Sequence, residues 1–288
     1  PDLPIIDPHH HLWDRRPVMH LIPPPVHGFD HISYRKGHYL LDQLLEDTGS
    51  GHNIVATVYL ECRSMYRAGA PDEMKPVGET EFVNGVAAMA ASGLYGKPLA
   101  CAGIVSTAEL LLAAEVGRVL DAHAAAGGAR FKGIRRSTSY DADPDVLGPL
   151  NRNPAGVLME PKFREGFAEL GKRGLSFDAW MLEPQLPELI DLARQFPDTP
   201  IVLDHVGTPL GAGSYKGKLP ERFGVWRENI RELAKSPNVH VKLGGLAMPF
   251  CNFPSMLSEP RASSEQLAKE WRPYIETCIE AFGPKRAM

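Results

Sequence analysis

The sequence predicts an α/β fold of the TIM-barrel type, a (β/α)8 barrel of parallel strands that alternate with helices. Short apolar runs alternate with longer amphipathic stretches along almost the whole chain of 288 residues. The short runs are nearly continuous in apolar character, as expected for parallel strands covered on both faces. The length also fits, since one such barrel commonly takes ~250 residues. We therefore expect a single domain over residues 1–288.

Seven strands are predicted, and most of them stop at a polar residue. In chain order they are Pro4–Asp7, Ile54–Glu61, Leu99–Ile104, Phe131–Arg135, Leu175–Ala179, Ile201–Asp204 and Val239–Leu243. An eighth strand should begin where the sequence ends, at Met288. We therefore expect a distorted barrel whose eighth strand is cut off or missing, and a natural chain that continues beyond this point.

Six helices are predicted between and after these strands from apolar residues that recur at helical spacing. Gly174 is a natural end for one helix, and Pro197 stops another. The helices are Thr80–Ser92, Thr107–Ala126, Phe163–Arg173, Gln185–Phe196, Arg222–Lys235 and Ser264–Phe282. Two insertions interrupt the rhythm after the first and sixth strands, Arg15–Tyr39 and Leu210–Leu219. Loops of this length are usually functional lids or disordered segments, and we expect both insertions to shape a pocket.

Composition excludes several classes of protein. With 43% hydrophobic and 23% charged residues and a net charge of −4, the chain is globular and lacks a basic stripe for nucleic acid. No apolar run reaches the ~20 residues of a membrane helix, so no membrane partner is expected. Four cysteines without metal-finger spacing indicate reduced thiols in a cytoplasmic protein. The expected partner is a small-molecule substrate, and a homo-oligomer stays open.

The strongest local signal is the run of three histidines that follows the first strand. In extended chain His9 and His11 point to one side and His10 to the other. Two imidazoles at a strand end suit a divalent metal or a pair of groups for acid–base and oxyanion chemistry. The competing interpretation is a surface histidine cluster.

Other strand ends carry further candidates. His205 follows the sixth strand, and together with His9 and His11 it is predicted to be catalytic. Arg135, Glu61, Gln185 and Trp180 are candidates for contacts with substrate, since an arginine can grip a carbonyl or a carboxylate by forked hydrogen bonds. The alternative for these residues, as for Lys242, is a structural ion pair at the rim of the barrel, and Trp180 could simply be core.

Four motifs in this order resemble the amidohydrolase superfamily, in its amidohydrolase-2 branch. The closer likeness is to the sugar-lactonase and 2-pyrone-4,6-dicarboxylate lactonase group, and it covers nearly the whole chain. The motifs are His9-His10-His11-Leu12-Trp13 after Asp7-Pro8, Phe131-Lys132-Gly133-Ile134-Arg135, Leu175-Ser176-Phe177-Asp178 with Gln185-Leu186, and Leu203-Asp204-His205-Val206-Gly207-Thr208-Pro209. The resemblance implies hydrolysis of a C–O or C–N bond, with His9, His11 and His205 at the family's histidine positions.

Two departures from the family leave the chemistry open. The family's strand-five histidine has no counterpart in Phe177-Asp178-Ala179-Trp180, and its strand-eight aspartate would follow Met288. Two possibilities therefore stay open. One is a divalent metal, with zinc as first choice, bound by His9 and His11, and the other is catalysis without a metal. The function expected from the resemblance is hydrolysis of a lactone by an activated water. Decarboxylation of an aromatic acid and a non-catalytic binding barrel are the alternatives.

Overall fold

The computed structural model describes residues 3–28, 30 and 37–288, which form two compact units. The first unit comprises Pro1–Val26 and Asp30–Arg135, and the second comprises His27–Phe29 and Arg136–Met288. Within the described residues, no helix is long and apolar enough to cross a membrane. All four cysteines are free. The expectation of a single domain stays a prediction.

The first unit is a parallel four-stranded sheet with helices between its strands. Strands β1 (Ile5–His10), β4 (Ile54–Leu60), β5 (Leu99–Ser106) and β6 (Phe131–Arg135) pair in that order. Two short strands, β2 (Trp13–Asp14) and β3 (His38–Tyr39), pair in the antiparallel direction. The helices are α1 (Leu41–Thr48), α2 (Val77–Ala91) and α3 (Val116–Gly127).

The core of this unit lies between the sheet and the first two helices. Leu12, Leu44, Tyr59, Val83 and Ile104 are buried in one hydrophobic cluster. Strands built from such residues bury both faces, which is why their sequence lacks in–out alternation.

The second unit repeats the same pattern. Strands β7 (Ser176–Ala179), β8 (Ile201–Leu203) and β9 (Val239–Val241) pair in parallel, with Phe177 beside Ile201 and Ile201 beside Val239. Helices α4 (Pro144–Leu147), α5 (Pro161–Gly171), α6 (Leu186–Gln195), α7 (Leu219–Leu233) and α8 (Ser264–Phe282) precede, connect and follow them. The repeat confirms the predicted α/β class with parallel strands.

The beginning of an eighth strand is visible beside β9. Ala287 pairs with Val241 in the parallel direction. The Leu243 amide donates to the Met288 carbonyl at 2.7 Å, and the Met288 amide donates to Val241 at 2.9 Å. The prediction that strand eight starts at the last residues is confirmed.

The helix predicted over Thr107–Ala126 is wrong in its first half. That segment is a 3-10 turn over Leu110–Glu115 that contains Ala113 at φ 53°, and the α-helix begins only at Val116. Apolar spacing alone does not reveal such a break, because the kink changes backbone direction without changing residue type. Helices α1 and α4 were not predicted, since both are short.

Hydrogen bonds to two aspartates hold the second of the two insertions in place. In Arg15–Tyr39, residues 29 and 31–36 lie outside the described part of the chain. The Gly-rich Leu210–Leu219 is described, and Asp143 anchors it: its carboxylate accepts from the Ser214 amide at 2.6 Å. Asp141 adds a second tie by accepting from the Tyr215 hydroxyl at 2.8 Å.

Candidate active site

The three histidines at the end of β1 point to alternating sides. The Nε2 atoms of His9 and His11 lie 3.3 Å apart, and their rings are nearly perpendicular with centroids 5.0 Å apart. His10 points to the other side, where it is buried with its Nε2 2.8 Å from the Thr57 hydroxyl. His9 and His11 are therefore paired, whereas His10 is part of the packing between β1 and β4.

The protonation state of His11 follows from its partners. Its Nδ1 lies 2.9 Å from the Leu60 carbonyl, which can only accept, so Nδ1 carries the proton. Burial, followed by the positive charge of Arg135, holds the pKa of His11 well below its usual value. The ring is therefore neutral, and its Nε2 presents a lone pair toward His9.

Arg135, at the end of β6, completes this cluster in the first unit. Its Nη1 lies 3.3 Å from His9 Nε2, and since a guanidinium only donates, His9 accepts there. Glu61 holds the rest of the guanidinium group. Arg135 Nε donates to Glu61 Oε1 at 2.9 Å, and Arg135 Nη2 donates to the Glu61 carbonyl at 2.6 Å. The structure thus brings together four predicted residues, His9, His11, Glu61 and Arg135.

The His9–His11 pair matches a metal ion in part. Two nitrogens on one tetrahedral zinc lie ~3.3 Å apart when each Zn–N bond is ~2.0–2.1 Å, and the observed separation is 3.3 Å. A catalytic zinc usually has ~3 protein ligands, however, and this pair supplies fewer. The Arg135 charge also opposes a cation beside His9. The two histidine nitrogens therefore have the right chemistry and spacing to bind a divalent ion, but they form only part of the ligand set that such an ion needs.

In the second unit, His205 sits in a strained turn directly after β8. His205, Val206 and Thr208 have φ values of 56°, 48° and 47°, which non-glycine residues rarely adopt. Two bonds fix Val206: its amide donates to the Lys242 carbonyl at 3.0 Å, and its carbonyl accepts from Trp226 Nε1 at 2.9 Å. Strain that is held in this way is typical of functional sites.

The His205 ring rests against bare backbone. A Cβ atom built on Gly245 would lie 2.3 Å from both Cγ and Nδ1 of the imidazole. Any side chain at position 245 would therefore displace the ring. The sequence gives no signal for this requirement, because Gly244-Gly245 resembles an ordinary turn.

Lys242 lies between two buried carboxylates. Its Nζ is 2.5 Å from Asp178 Oδ2 and 3.0 Å from Asp204 Oδ1, and all three side chains are buried. Sequence reasoning weighed Lys242 but missed both aspartates as its partners. The available signal was that Asp178 lies next to the last residue of β7 and Asp204 directly follows β8.

Gln185 and Trp180 make contacts within the second unit that are structural in kind. The Gln185 amide bridges the Thr138 carbonyl at 2.8 Å and the Tyr140 amide at 3.1 Å. Trp180 packs on a cluster that includes Leu182 and Phe250. Their predicted contacts with substrate, like the catalytic role of His205, stay predictions.

Known proteins are similar to this chain in sequence and in fold. A protein of Sinorhizobium fredii that carries no assigned function is 34% identical over 100% of this chain and 84% of its own length. The L-fucono-1,5-lactonase of Burkholderia ambifaria is 29% identical, over 54% of this chain and 44% of that enzyme. The segment matched to this lactonase is therefore about half of each protein.

A solved amidohydrolase from Burkholderia multivorans, with bound zinc, aligns over 98% of this chain and 82% of its own with a TM-score of 0.66 at 24% identity. This agreement confirms the predicted TIM-barrel type of fold. The family model for amidohydrolases of the amidohydrolase-2 branch matches residues 6–288. The resemblance inferred from the motifs is confirmed, and the chain belongs to the amidohydrolase family.

Proposed function

We propose that this amidohydrolase hydrolyses the cyclic ester of a lactone, with a sugar lactone or a dicarboxylate lactone as substrate. The observation that carries the proposal is the cluster of Arg135, His9 and His11, in which a fixed guanidinium N–H donates to His9 Nε2, and this nitrogen lies 3.3 Å from His11 Nε2. Such groups suit a carbonyl that becomes negatively charged during attack. The similarity to an L-fucono-1,5-lactonase supports the choice of a lactone.

In this reaction a water adds to the lactone carbonyl, and the ring C–O bond then breaks to give a hydroxy acid. Arg135 would donate through Nη1 to the oxygen that gains charge, in place of its present acceptor His9. Glu61 acts through Arg135, since it holds Nε and Nη2 of the fork. His205 is proposed as a further catalytic group, and Gln185 and Trp180 as contacts for the substrate.

His11 is better suited to bind than to take a proton. Its lowered pKa makes it a weak base, because an effective general base titrates near the working pH. A neutral imidazole with a fixed Nδ1 proton is, in contrast, the form that ligates metals. If a divalent ion such as zinc is bound by His9 and His11, it supplies a water whose pKa is lowered to ~7.

The test is turnover of L-fucono-1,5-lactone and a panel of sugar and dicarboxylate lactones by the full chain, before and after chelation. We expect Arg135→Lys, which keeps the charge but loses the fork, to lower kcat on the order of a hundredfold. Arg118→Lys, at a half-exposed ion pair, is the matched control and should leave kcat unchanged.

Two results would decide against parts of the proposal. Absence of hydrolysis across the whole panel by the wild-type protein, with or without added zinc, would remove lactone hydrolysis. Full activity after chelation would show that the reaction needs no metal. The arginine and the histidines would then stabilise the developing charge by themselves.

A further inference from the structure

Glu79 is a buried carboxylate that the proposed reaction does not use. It lies in the first turn of α2 and has 0% exposed surface. One oxygen, Oε1, accepts three hydrogen bonds: from the Tyr59 hydroxyl at 2.7 Å, the Cys62 amide at 2.9 Å and the Ser64 amide at 2.9 Å. Two of these donors belong to the backbone that follows β4, so Glu79 holds a segment of chain and not merely a side chain.

The segment it holds is the Glu61–Met65 turn. Arg63 and Met65 have φ values of 62° and 53° in this turn, and non-glycine residues keep such values only where their surroundings enforce them. The neighbouring Gly78 allows the approach, since a Cβ there would lie 2.6 Å from the Met65 carbonyl oxygen. The turn is therefore seated on the first turn of α2 and is tied to it by the Glu79 carboxylate.

The same turn carries the contacts of Arg135. The Glu61 carbonyl accepts from Arg135 Nη2 at 2.6 Å, and its carboxylate accepts from Nε at 2.9 Å. That carbonyl is part of the same peptide group as the Cys62 amide, which donates to Glu79. A shift of this peptide group would disturb two contacts at once, the one from its N–H to Glu79 and the one from Arg135 Nη2 to its carbonyl. The guanidinium beside His9 would move with it.

We propose that Glu79 is a positioning residue for Arg135, because it fixes the Glu61–Met65 turn whose first residue holds the guanidinium beside His9. The proposal rests on the proposed function only where it says that Arg135 touches substrate. The geometric part, from Glu79 to Arg135, stands on the contacts themselves.

A carboxylate at this place needs a reason beyond packing. Among the described residues no lysine or arginine forms an ion pair with Glu79. Burial, and next the charge of Glu61, raise the pKa of Glu79 to about 7, so the buried charge is costly at neutral pH. Well-packed apolar residues are often at least as stable as buried charges. An apolar side chain would lose the two hydrogen bonds to the turn, from the Cys62 and Ser64 amides, and the third from the Tyr59 hydroxyl.

Three variants separate positioning from general stability. Glu79→Gln keeps an acceptor at the same reach. Glu79→Asp keeps the charge but withdraws the oxygens by about 1.5 Å, too far for hydrogen bonds to both amides. Val83→Ala removes buried volume from the same helix without touching the turn, and it serves as the matched control.

The first readout does not depend on activity. In the ¹⁵N-labelled full chain, the Nε–H signal of Arg135 is assigned by its absence from Arg135→Lys. We expect this signal to keep its position in Glu79→Gln and Val83→Ala, and to shift and exchange faster with solvent in Glu79→Asp. If Glu79→Asp does not fold, as judged by circular dichroism, Glu79→Met takes its place.

The second readout is hydrolysis of L-fucono-1,5-lactone. We expect Glu79→Asp to lower kcat on the order of tenfold to a hundredfold with a smaller change in KM, since misplaced groups fail in the transition state. Glu79→Gln should stay within about threefold of wild type, because its acceptor preserves the bonds.

An unchanged Arg135 signal in folded Glu79→Asp or Glu79→Met would overturn the proposal, as would loss of the signal in folded Glu79→Gln. If wild-type protein does not hydrolyse the lactone, the proposed function is wrong for that substrate. The Arg135 signal then still decides the role of Glu79, so the two failures can be told apart.

Discussion

The orientation of His205 depends on a neighbour that has no side chain. Gly245 has a φ of 84°, and its missing Cβ leaves the space that the imidazole occupies. Glycine is the residue that meets both demands, since it tolerates this backbone and adds no atom. The constraint involves residues 40 positions apart, so it belongs to the fold and not to the local sequence.

We expect Gly245→Ala to move the His205 ring and to lower activity on lactones about tenfold or more. Two controls separate this effect from others. Gly244→Ala adds a Cβ with nothing within 4 Å. Gly156→Ala imposes the same backbone strain at a φ of 71° with open space around it. Steady-state kinetics on folded variants measures the result, and equal activity of all three would contradict the steric role of Gly245.

At the scale of elements, the ends of three neighbouring strands share one buried charge cluster. Asp178 is the third residue of β7, Asp204 follows β8 and Lys242 follows β9. Because these strands are parallel and in register, their ends lie side by side, and the ammonium reaches both carboxylates. One lysine side chain is therefore shared by carboxylates from two strands.

Lys242→Met should destabilise the chain by about 3–5 kcal/mol, since it leaves two buried carboxylates without their cation. Adding Asp178→Asn removes one of those charges and should recover part of the loss. Lys235→Met is the control, because its side chain is 70% exposed and should change stability by less than about 0.5 kcal/mol. Urea unfolding measures all three, and a Lys242→Met variant as stable as wild type would show that the cluster contributes little.

At the scale of the whole molecule, buried titratable groups pull stability in opposite directions as the pH changes. Burial lowers the pKa of His123 to about 4, so acidification forces a proton onto a group that folds uncharged. Burial raises the pKa of Glu79 to about 7, so the folded chain holds a proton there that the unfolded chain has released. The stability that depends on neutral His123 is therefore lost as the pH falls, and the stability that depends on protonated Glu79 is lost as the pH rises.

Glu79 makes stability depend on pH between its ordinary pKa of 4.5, which applies in the unfolded chain, and its pKa of about 7 in the folded chain. Below this window both states are protonated at Glu79, and above it the folded state must carry the buried charge. Relative to Glu79→Gln, the free energy of unfolding of wild type should therefore fall by about 2–3 kcal/mol between pH 5 and pH 8. Urea titrations of both proteins at each pH measure the difference. A constant difference would mean that Glu79 titrates at its ordinary value.

Much of this organisation is available from the sequence. The nearly continuous apolar runs identified the seven strands, since a strand covered on both faces has no polar side to show. The His9-His10-His11 run predicted which imidazoles share a side, because alternation along a strand is a local property of the backbone. Arg135 was also predicted from the sequence, because it is a polar residue at the end of an apolar strand.

Only the tertiary structure decided which groups meet. The partners of Arg135, Lys242 and His205 lie 74, 64 and 40 positions away in the chain, at Glu61, Asp178 and Gly245. Periodicity and propensity describe neighbours along the chain, whereas these contacts arise when separate strands and turns pack together. Glu79 shows this most plainly: on α2 it looks like one more surface acid, and only the packing of the Glu61–Met65 turn over it reveals a buried carboxylate that fixes a neighbouring peptide.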